Sequence, residues 1–224
     1  MRLIEDRPVV FLHIPKTAGC TLNTIIERQY TSDQIFSFYS EEAFGEFQDL
    51  SHDRREKIRM FRGHIAFESH AHVLGEFDPY PDNYFTFLRD PVDRVISHYY
   101  HVIRNPDNHL YPYTEEGQLG LEDFLKTEIP TMLNNGQTRL LSGLWKETPF
   151  GECDVEMLET AKQNIREHFV LVGLTERFDE ALCLLRSILE WQHDISYVSR
   201  NVGDNRPKRD LVSPETLAAI SELN

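Results

Sequence analysis

The sequence contains little cysteine, less basic than acidic charge, and no apolar run that could cross a membrane. Its three cysteines, Cys20, Cys153 and Cys183, are widely spaced and match no zinc-ligand pattern, so we expect free thiols in a reducing compartment. The apolar stretch Val9 to Ile14 is far shorter than a bilayer span, and no secretory segment accompanies it. These absences predict a cytoplasmic chain of the bacterial type, while a membrane anchor trimmed from this sequence stays open.

The shortage of positive charge limits the partners of this protein. The 23 lysines and arginines stand against 37 acidic residues, and the net charge of −14 repels nucleic acid and anionic membranes. Any site for an anion must therefore be a local basic pocket, and a long polyanionic partner is disfavoured. The 224 residues contain 40% apolar and 27% charged side chains without an internal repeat, which predicts a single domain over residues 1–224.

Short apolar runs alternate with helical patterns along the chain. The runs Val9–Leu12 and Tyr84–Leu88 are typical of buried parallel strands, Met60–Gly63 is a weaker strand candidate, and Phe169–Leu174 is another. This alternation predicts an α/β fold with three layers, in which a mainly parallel central sheet carries helices on both faces. Ligands of such sheets bind beyond the carboxyl ends of the strands, so the loops after Leu12, Gly63 and Leu88 are the expected site.

Helix starts and apolar stripes support this alternation. Asp90 suits an N-cap and Pro91 the first helical position, and the stripe that follows extends to Ile103. Apolar residues at helical spacing predict further helices over residues 22–26, 155–165 and 181–189, and Ser213 with Pro214 predicts the start of a last one. Residues 105–120 are predicted to form a loop.

The segment after the first strand has the composition of an anion-binding loop. Small residues allow a close backbone approach, the free N–H groups of a helix start attract anions, and Lys16 adds a full positive charge. The pattern differs from the nucleotide-triphosphate P-loop, because it has one glycine and its lysine precedes that glycine. An ordinary strand-to-helix turn with a surface lysine is the alternative. The candidate anion-binding residues here are Lys16, Thr17, Ala18, Gly19, Cys20 and Thr21.

A second candidate anion site begins at the end of the strand Tyr84–Leu88. Arg89 follows that strand directly, and Ser97 comes eight residues later, about two turns into the predicted helix. An arginine fork combined with a hydroxyl group forms a compact phosphate clamp. A salt-bridged Arg89 and a Ser97 without function are the alternative.

Together these segments resemble the motifs of a known family. "HIPKTAGCTL" resembles the 5′-phosphosulfate loop of sulfotransferases that use 3′-phosphoadenosine 5′-phosphosulfate (PAPS), and "FLRDPVDRVISHYY" resembles their 3′-phosphate motif. "RGHIAF", "NNGQTRLLSG" and "VLVGLTERFDEALCLL" resemble the branch that contains heparan sulfate 2-O-sulfotransferase and its bacterial relatives. The resemblance extends from about residue 9 to residue 217. It implies a P-loop-like sulfotransferase fold, the donor PAPS and the product 3′,5′-adenosine diphosphate (PAP).

The resemblance also implies roles for single residues. Lys16 matches the lysine that contacts the bridging oxygen of the donor, and His64 matches the proposed catalytic base. Arg89 and Ser97 match the 3′-phosphate pair. A basic segment over residues 200–209, with four basic residues and one acid, resembles a loop that closes over the 3′-phosphate and the adenine. Its candidate donor-binding residues are Arg200, Arg206 and Lys208.

The acceptor side is less defined by the sequence. The resemblance implies a carbohydrate hydroxyl as acceptor and points to Gln137, Thr138 and Arg139, although Arg139 paired to an acid in a structural role is equally open. Glu68 is a further acceptor-side residue and the alternative base. No metal is expected, because the sulfonate carries a single negative charge. A helix could place His64 near Glu68, and the cluster of His64, Glu68, His70 and His72 is interpreted as a polar helix face rather than a metal site.

Two other functions remain compatible with the sequence. A nucleotide phosphotransferase of the kinase type would need a Walker-type loop and a magnesium-holding acid, which Asp90 could imitate. A binding protein without turnover would keep the nucleotide pocket and lose its catalytic groups. The presence of both Lys16 and His64 argues against that second alternative.

Overall fold

The computed structural model describes residues 7–40, 42–67, 83–115, 117–129, 131–198, 209 and 212–224. Five parallel strands form one sheet in the order β2-β3-β1-β4-β5. Their bounds are β1 Val9–Leu12, β2 Ile35–Phe38, β3 Met60–Gly63, β4 Tyr84–Leu88 and β5 Phe169–Leu174. The four strands predicted from the sequence are confirmed, and the prediction missed β2.

The helices of the described residues connect and cover these strands. Their bounds are α1 Gly19–Gln29, α2 Glu42–Gln48, α3 His52–Arg55, α4 Pro91–Ile103, α5 Leu121–Leu125, α6 Gly136–Ser142, α7 Val155–His168, α8 Phe178–Ile188 and α9 Pro214–Glu222. Short 3₁₀ turns occur at Tyr111–Thr114, Thr131–Leu133 and Thr175–Arg177. None of these helices is both long enough and apolar enough to cross a membrane.

The central strand β1 supplies side chains to both faces of the sheet, because successive residues of a strand point in opposite directions. Val10 and Leu12 pack into a core that also contains side chains of α2, α6 and α7. Val9 and Phe11 pack into the opposite core, which contains side chains of α1 and α8. The predicted three-layer arrangement is therefore confirmed.

A third apolar cluster attaches α4 to the C-terminal part of the chain. Val95, Ile96 and Val102 of α4 pack there with Phe124 of α5 and Ile220 of α9. Both α4 and α9 begin as the sequence predicts, with a side-chain cap before a proline at the start of the helix. The side chain of Asp90 accepts a hydrogen bond from the backbone N–H of Asp93 at 3.0 Å.

The strand register brings three loops together at one edge of the sheet. Leu12 of β1 and Phe38 of β2 both pair with Gly63 of β3, so these three strands end side by side. The residues that follow them are His13, Tyr39 and His64. This edge is the carboxyl end of the sheet, where parallel α/β proteins bind their ligands.

Candidate functional site

The loop between β1 and α1 has a strained backbone. Lys16 and Ala18 adopt left-handed conformations with φ of 74° and 66°, which cost side chains other than glycine about 1 kcal/mol or more each. The helix α1 starts without a side-chain cap and without an acid in its first turn. Its positive dipole end is therefore not neutralised by the helix itself, which suits an anionic ligand.

The two threonines of this loop are buried, whereas Cys20 is exposed. The hydroxyl group of Thr17 donates to the backbone carbonyl of Ile14 at 2.8 Å. The hydroxyl hydrogen of Thr17 therefore stabilises the loop and is not directed at a ligand. Thr21 lies in the first turn of α1.

Gly19 makes room for the ring of His13. A Cβ atom at position 19 would lie 1.9 Å from Nε2 of His13, a distance that no side chain tolerates. The glycine of the predicted anion loop is thus needed to seat a buried histidine, in addition to the close backbone approach expected from the sequence.

His13 anchors a hydrogen-bonded group on the neighbouring strand ends. Its Nδ1 lies 3.0 Å from the hydroxyl oxygen of Tyr39, which also accepts a hydrogen bond from the Asn23 amide at 2.7 Å. Burial lowers the pKa of His13 well below its ordinary value, and the charges of His64 and Lys16 lower it further. His13 is therefore neutral near pH 7.

His64 lies against His13 and is oriented by it. Nδ1 of His64 is 2.8 Å from the backbone carbonyl oxygen of His13, and the centroids of the two rings are 4.3 Å apart. Because a carbonyl oxygen can only accept, Nδ1 of neutral His64 carries the hydrogen and Nε2 keeps its lone pair. The side chain stays exposed, so this lone pair is in reach of a substrate.

The surroundings of His64 favour its neutral form. His64 is exposed overall, but its ring packs against those of His13 and Tyr39 at the strand ends, and this partial desolvation lowers its pKa. The hydrogen bond to the His13 carbonyl opposes this change, and the positive charge of Lys16 lowers the pKa further. A neutral imidazole at physiological pH can accept a proton. Residues 64–67 follow β3 without helical structure, so the helix considered for His64 and Glu68 does not begin there.

Arg89 connects the end of β4 to the loop that carries Lys16. Its Nη1 donates to the backbone carbonyl oxygen of Lys16 at 3.1 Å. Gln137 of α6 holds the Arg89 backbone on both sides, since its Oε1 accepts from the Arg89 N–H at 3.0 Å and its Nε2 donates to the Arg89 carbonyl at 2.9 Å. Ser97 is half-buried and lies on α4, the helix that the sequence predicts after Asp90.

The three residues proposed for the acceptor side from α6 occupy different environments. Gln137 uses its amide to position Arg89, and Thr138 is half-buried. Arg139 is fully buried and donates to the carbonyl groups of Asn134, Thr148 and Pro149 and to the Asn134 side chain. Arg139 has the structural role that the sequence left open, with carbonyl oxygens in place of the expected acid.

Several predicted residues lie outside the described residues. Glu68, His70 and His72 belong to this group, and so do Arg200, Arg206 and Lys208. Among the described residues, His52, Asp53 and Glu56 are close enough to share a metal ion, and all three are exposed. They lie on and just after α3, near the amino ends of β2 and β3 and away from Lys16 and His64.

Sequence reasoning missed Tyr39 as a residue of this edge. The residue is 40% exposed, and its ring meets that of His64 edge-on with centroids 5.0 Å apart. The signal was the short apolar run at Ile35–Phe38, because recognising it as a strand places Tyr39 beside the ends of β1 and β3.

The chain is similar to known sulfotransferases over most of its length. The model of the sulfotransferase family matches residues 1–191. Heparan sulfate 2-O-sulfotransferase 1 is 24% identical in Xenopus laevis and 23% identical in Homo sapiens, each over 207 residues that cover 83% of this chain and 55% of the relative. Human uronyl 2-sulfotransferase is 28% identical over 147 residues, which cover 60% of this chain and 34% of the relative.

A solved structure has the same fold. The crystal structure of mouse sulfotransferase SULT7A1 complexed with PAP superimposes with a TM-score of 0.51 at 15% sequence identity. The match covers 85% of this chain and 60% of the mouse chain. The chain spans about half the length of the heparan sulfate relatives and about a third of the uronyl relative.

Proposed function

The chain belongs to the sulfotransferase family, and from this premise we propose that it is an enzyme that transfers a sulfonate group from PAPS to a carbohydrate hydroxyl. One observation carries the proposal. Arg89 and His64, from two different strand ends, both hydrogen-bond to backbone carbonyls of the loop that contains Lys16. A candidate phosphate-binding residue, Arg89, and a candidate base, His64, thus contact the same loop.

The residues of this edge fit an anionic donor. The chain carries a net charge of −14, yet Arg89 hydrogen-bonds to the backbone of Lys16, in the loop before a helix start that has no acid in its first turn. The mouse structural neighbour was solved with PAP, which is the product of PAPS after sulfonate transfer. We propose that residues 16–21 bind the 5′ end of PAPS and that Arg89 and Ser97 bind its 3′-phosphate.

The proposed reaction is an in-line displacement at sulfur. Nε2 of His64 accepts the proton of the acceptor hydroxyl as its oxygen forms a bond to sulfur. The bond between sulfur and the bridging oxygen of the donor breaks, and the electron pair stays on that oxygen, which leaves with PAP. Lys16 and the start of α1 stabilise the negative charge that develops there.

A carbohydrate acceptor is supported by the relatives and by Tyr39. The matched curated relatives are named as sulfotransferases of heparan sulfate and of uronyl groups. The exposed ring of Tyr39 stands edge-on to His64, and its hydroxyl group is fixed by Asn23 and His13. A rigid aromatic side chain next to the base is suited to contact a sugar ring, and a sugar of low charge fits the acidic chain best.

Two further expectations belong to this proposal. We propose one domain over residues 1–224, and the backbone hydrogen bond from Asn135 to Leu223 at 3.0 Å supports it by joining α6 to the end of α9. The cytoplasmic location expected from the sequence stays a prediction, which fractionation of the native host would test.

Calorimetric titration with PAP, with ATP and magnesium as the control ligand, tests the donor site. We expect micromolar PAP binding that Arg89→Ala weakens by roughly 2–3 kcal/mol, because a charged hydrogen-bond partner of the phosphate is lost. Binding of ATP with magnesium and no binding of PAP would overturn the proposal in favour of a phosphotransferase.

Turnover with PAPS and a panel of sugars tests the catalytic roles. Lys16→Ala should lower turnover about 100-fold or more, and His64→Ala should lower turnover while PAP affinity is retained. The exposed His52 supplies a matched control, since His52→Ala removes a histidine far from this edge. PAP binding without turnover on any acceptor would instead favour a non-catalytic binding protein.

A further inference from the structure

Two arginines, Arg94 and Arg139, are the largest side chains that are fully buried in the described residues. A buried charge is costly unless hydrogen bonds or opposite charges compensate it. The two arginines differ sharply in this respect, and the difference points to a function for one of them.

Arg139 is compensated within the chain. All three of its guanidinium nitrogens donate hydrogen bonds to oxygen acceptors of residues 134, 148 and 149. Charge-assisted hydrogen bonds of this kind stabilise the fold. Removal of Arg139 would therefore leave several buried acceptors without a donor.

Arg94 on α4 is not compensated. Its Nη2 donates to the Met132 carbonyl at 2.5 Å, but its Nε and Nη1 find no acceptor among the residues that the structure describes. Its space is nevertheless well defined, because a Cβ atom at Gly136 would lie 2.8 Å from Nη2. The chain thus keeps room for a buried cation and supplies one hydrogen bond for it.

The charges around Arg94 are also positive. Burial, followed by the charge of Arg89, lowers the pKa of Arg94 to about 10, so the guanidinium stays protonated near pH 7. One turn along α4, Nδ1 of the buried His98 also lacks a partner among the described residues. Burial lowers the pKa of His98, and the charges of Arg94 and Lys16 follow as causes. The positive charges of Lys16, Arg89 and Arg94 therefore act on one region.

We propose that Arg94 is a positioning residue of the donor site, whose uncompensated charge acts through Arg89 and is stabilised when the donor's 3′-phosphate binds there. This inference rests on the proposed function. The charges of the buried Arg94 and the half-buried Arg89 repel each other in the free protein, and an anion bound at Arg89 would attract both of them. The repulsion between Arg94 and Arg89 destabilises the free protein, and its relief on binding of the phosphate increases the affinity for the donor.

The test compares stability and PAP affinity in Arg94→Met, a substitution that keeps most of the volume and removes the charge. We expect PAP affinity to fall about tenfold, a coupling typical of linked sites, while the melting temperature of the free protein is kept or raised. Arg94→Lys restores the charge and should recover part of the affinity. Arg104→Met, at the exposed end of the same helix, loses the same charge and should leave affinity unchanged.

Arg139→Met is the control for a buried arginine with a structural role, and it should lower the melting temperature strongly or prevent folding. An Arg94→Met variant that fails to fold, or that loses stability and affinity together as a structural residue would, overturns the inference. Unchanged PAP affinity in a folded Arg94→Met variant also overturns it. Absence of PAP binding to the wild-type protein would instead refute the proposed function itself.

Discussion

The amide of Gln137 is expected to be a main determinant of donor affinity, although it touches only backbone atoms. It accepts from the N–H and donates to the carbonyl of Arg89, as a paired strand would. Gln137→Met removes both hydrogen bonds and keeps the length of the side chain and the helical propensity of α6. Arg89 then loses both of these backbone hydrogen bonds.

The magnitude follows from the two lost bonds and the freed backbone. Two hydrogen bonds at a half-buried position contribute roughly 1–3 kcal/mol to the free energy of unfolding. Fixing the backbone of one residue costs about 1–2 kcal/mol, and in the variant donor binding has to supply this ordering. PAP affinity should therefore fall about tenfold, with each 1.4 kcal/mol equal to a factor of ten.

Denaturant unfolding and calorimetric PAP titration measure the two quantities on the same variant. Gln163→Met is the matched control, because Gln163 is an exposed glutamine of α7 whose amide donates to Glu167. If Gln137→Met resembles Gln163→Met in both unfolding free energy and PAP affinity, the proposed positioning of Arg89 by Gln137 is refuted.

Three further predictions follow from the site. Gly19→Ala should lower both the stability and the PAP affinity, because the new Cβ atom would lie 1.9 Å from Nε2 of His13. Gly45→Ala is the control: its Cβ atom meets no atom within 4 Å, so this variant should be neutral or slightly stabilising in thermal unfolding. The value of kcat/KM should fall at acidic pH, because His64 gains a proton and can no longer act as a base. Since the pKa of His64 is lowered from 6.5, the midpoint of this fall should lie below pH 6.5. A midpoint above pH 7 would contradict the role of His64 as the base. The pKa of His98 lies well below 6.5, so the unfolded chain binds the proton first and stability is lost as pH falls from 6.5 toward the lowered value. The His98→Leu variant should reduce that pH slope of the unfolding free energy by up to about 1.4 kcal/mol per pH unit, and an unchanged slope would contradict it.

The sequence alone predicted the strands that carry long apolar runs and the helix starts that carry strong caps. Val9–Leu12 and Tyr84–Leu88 were recognisable because strands buried on both faces are apolar at every position, and Asp90 with Pro91 fixed the start of α4. The strand Ile35–Phe38 was missed, since it is half-exposed along most of its length and its four residues give little periodicity. Because this strand was missed, Tyr39, which directly follows it, was missed as a residue of the site.

The sequence by itself also determined the two anion-binding motifs, because a lysine loop and an arginine after a strand are local features of the chain. Only the tertiary structure decided how these motifs meet. The contact of Arg89 with the Lys16 carbonyl spans 73 residues, and the hydrogen bonds between Gln137 and Arg89 span 48. The difference between Arg94 and Arg139 is likewise invisible in the sequence, because compensation of a buried charge depends on acceptors that folding brings from elsewhere.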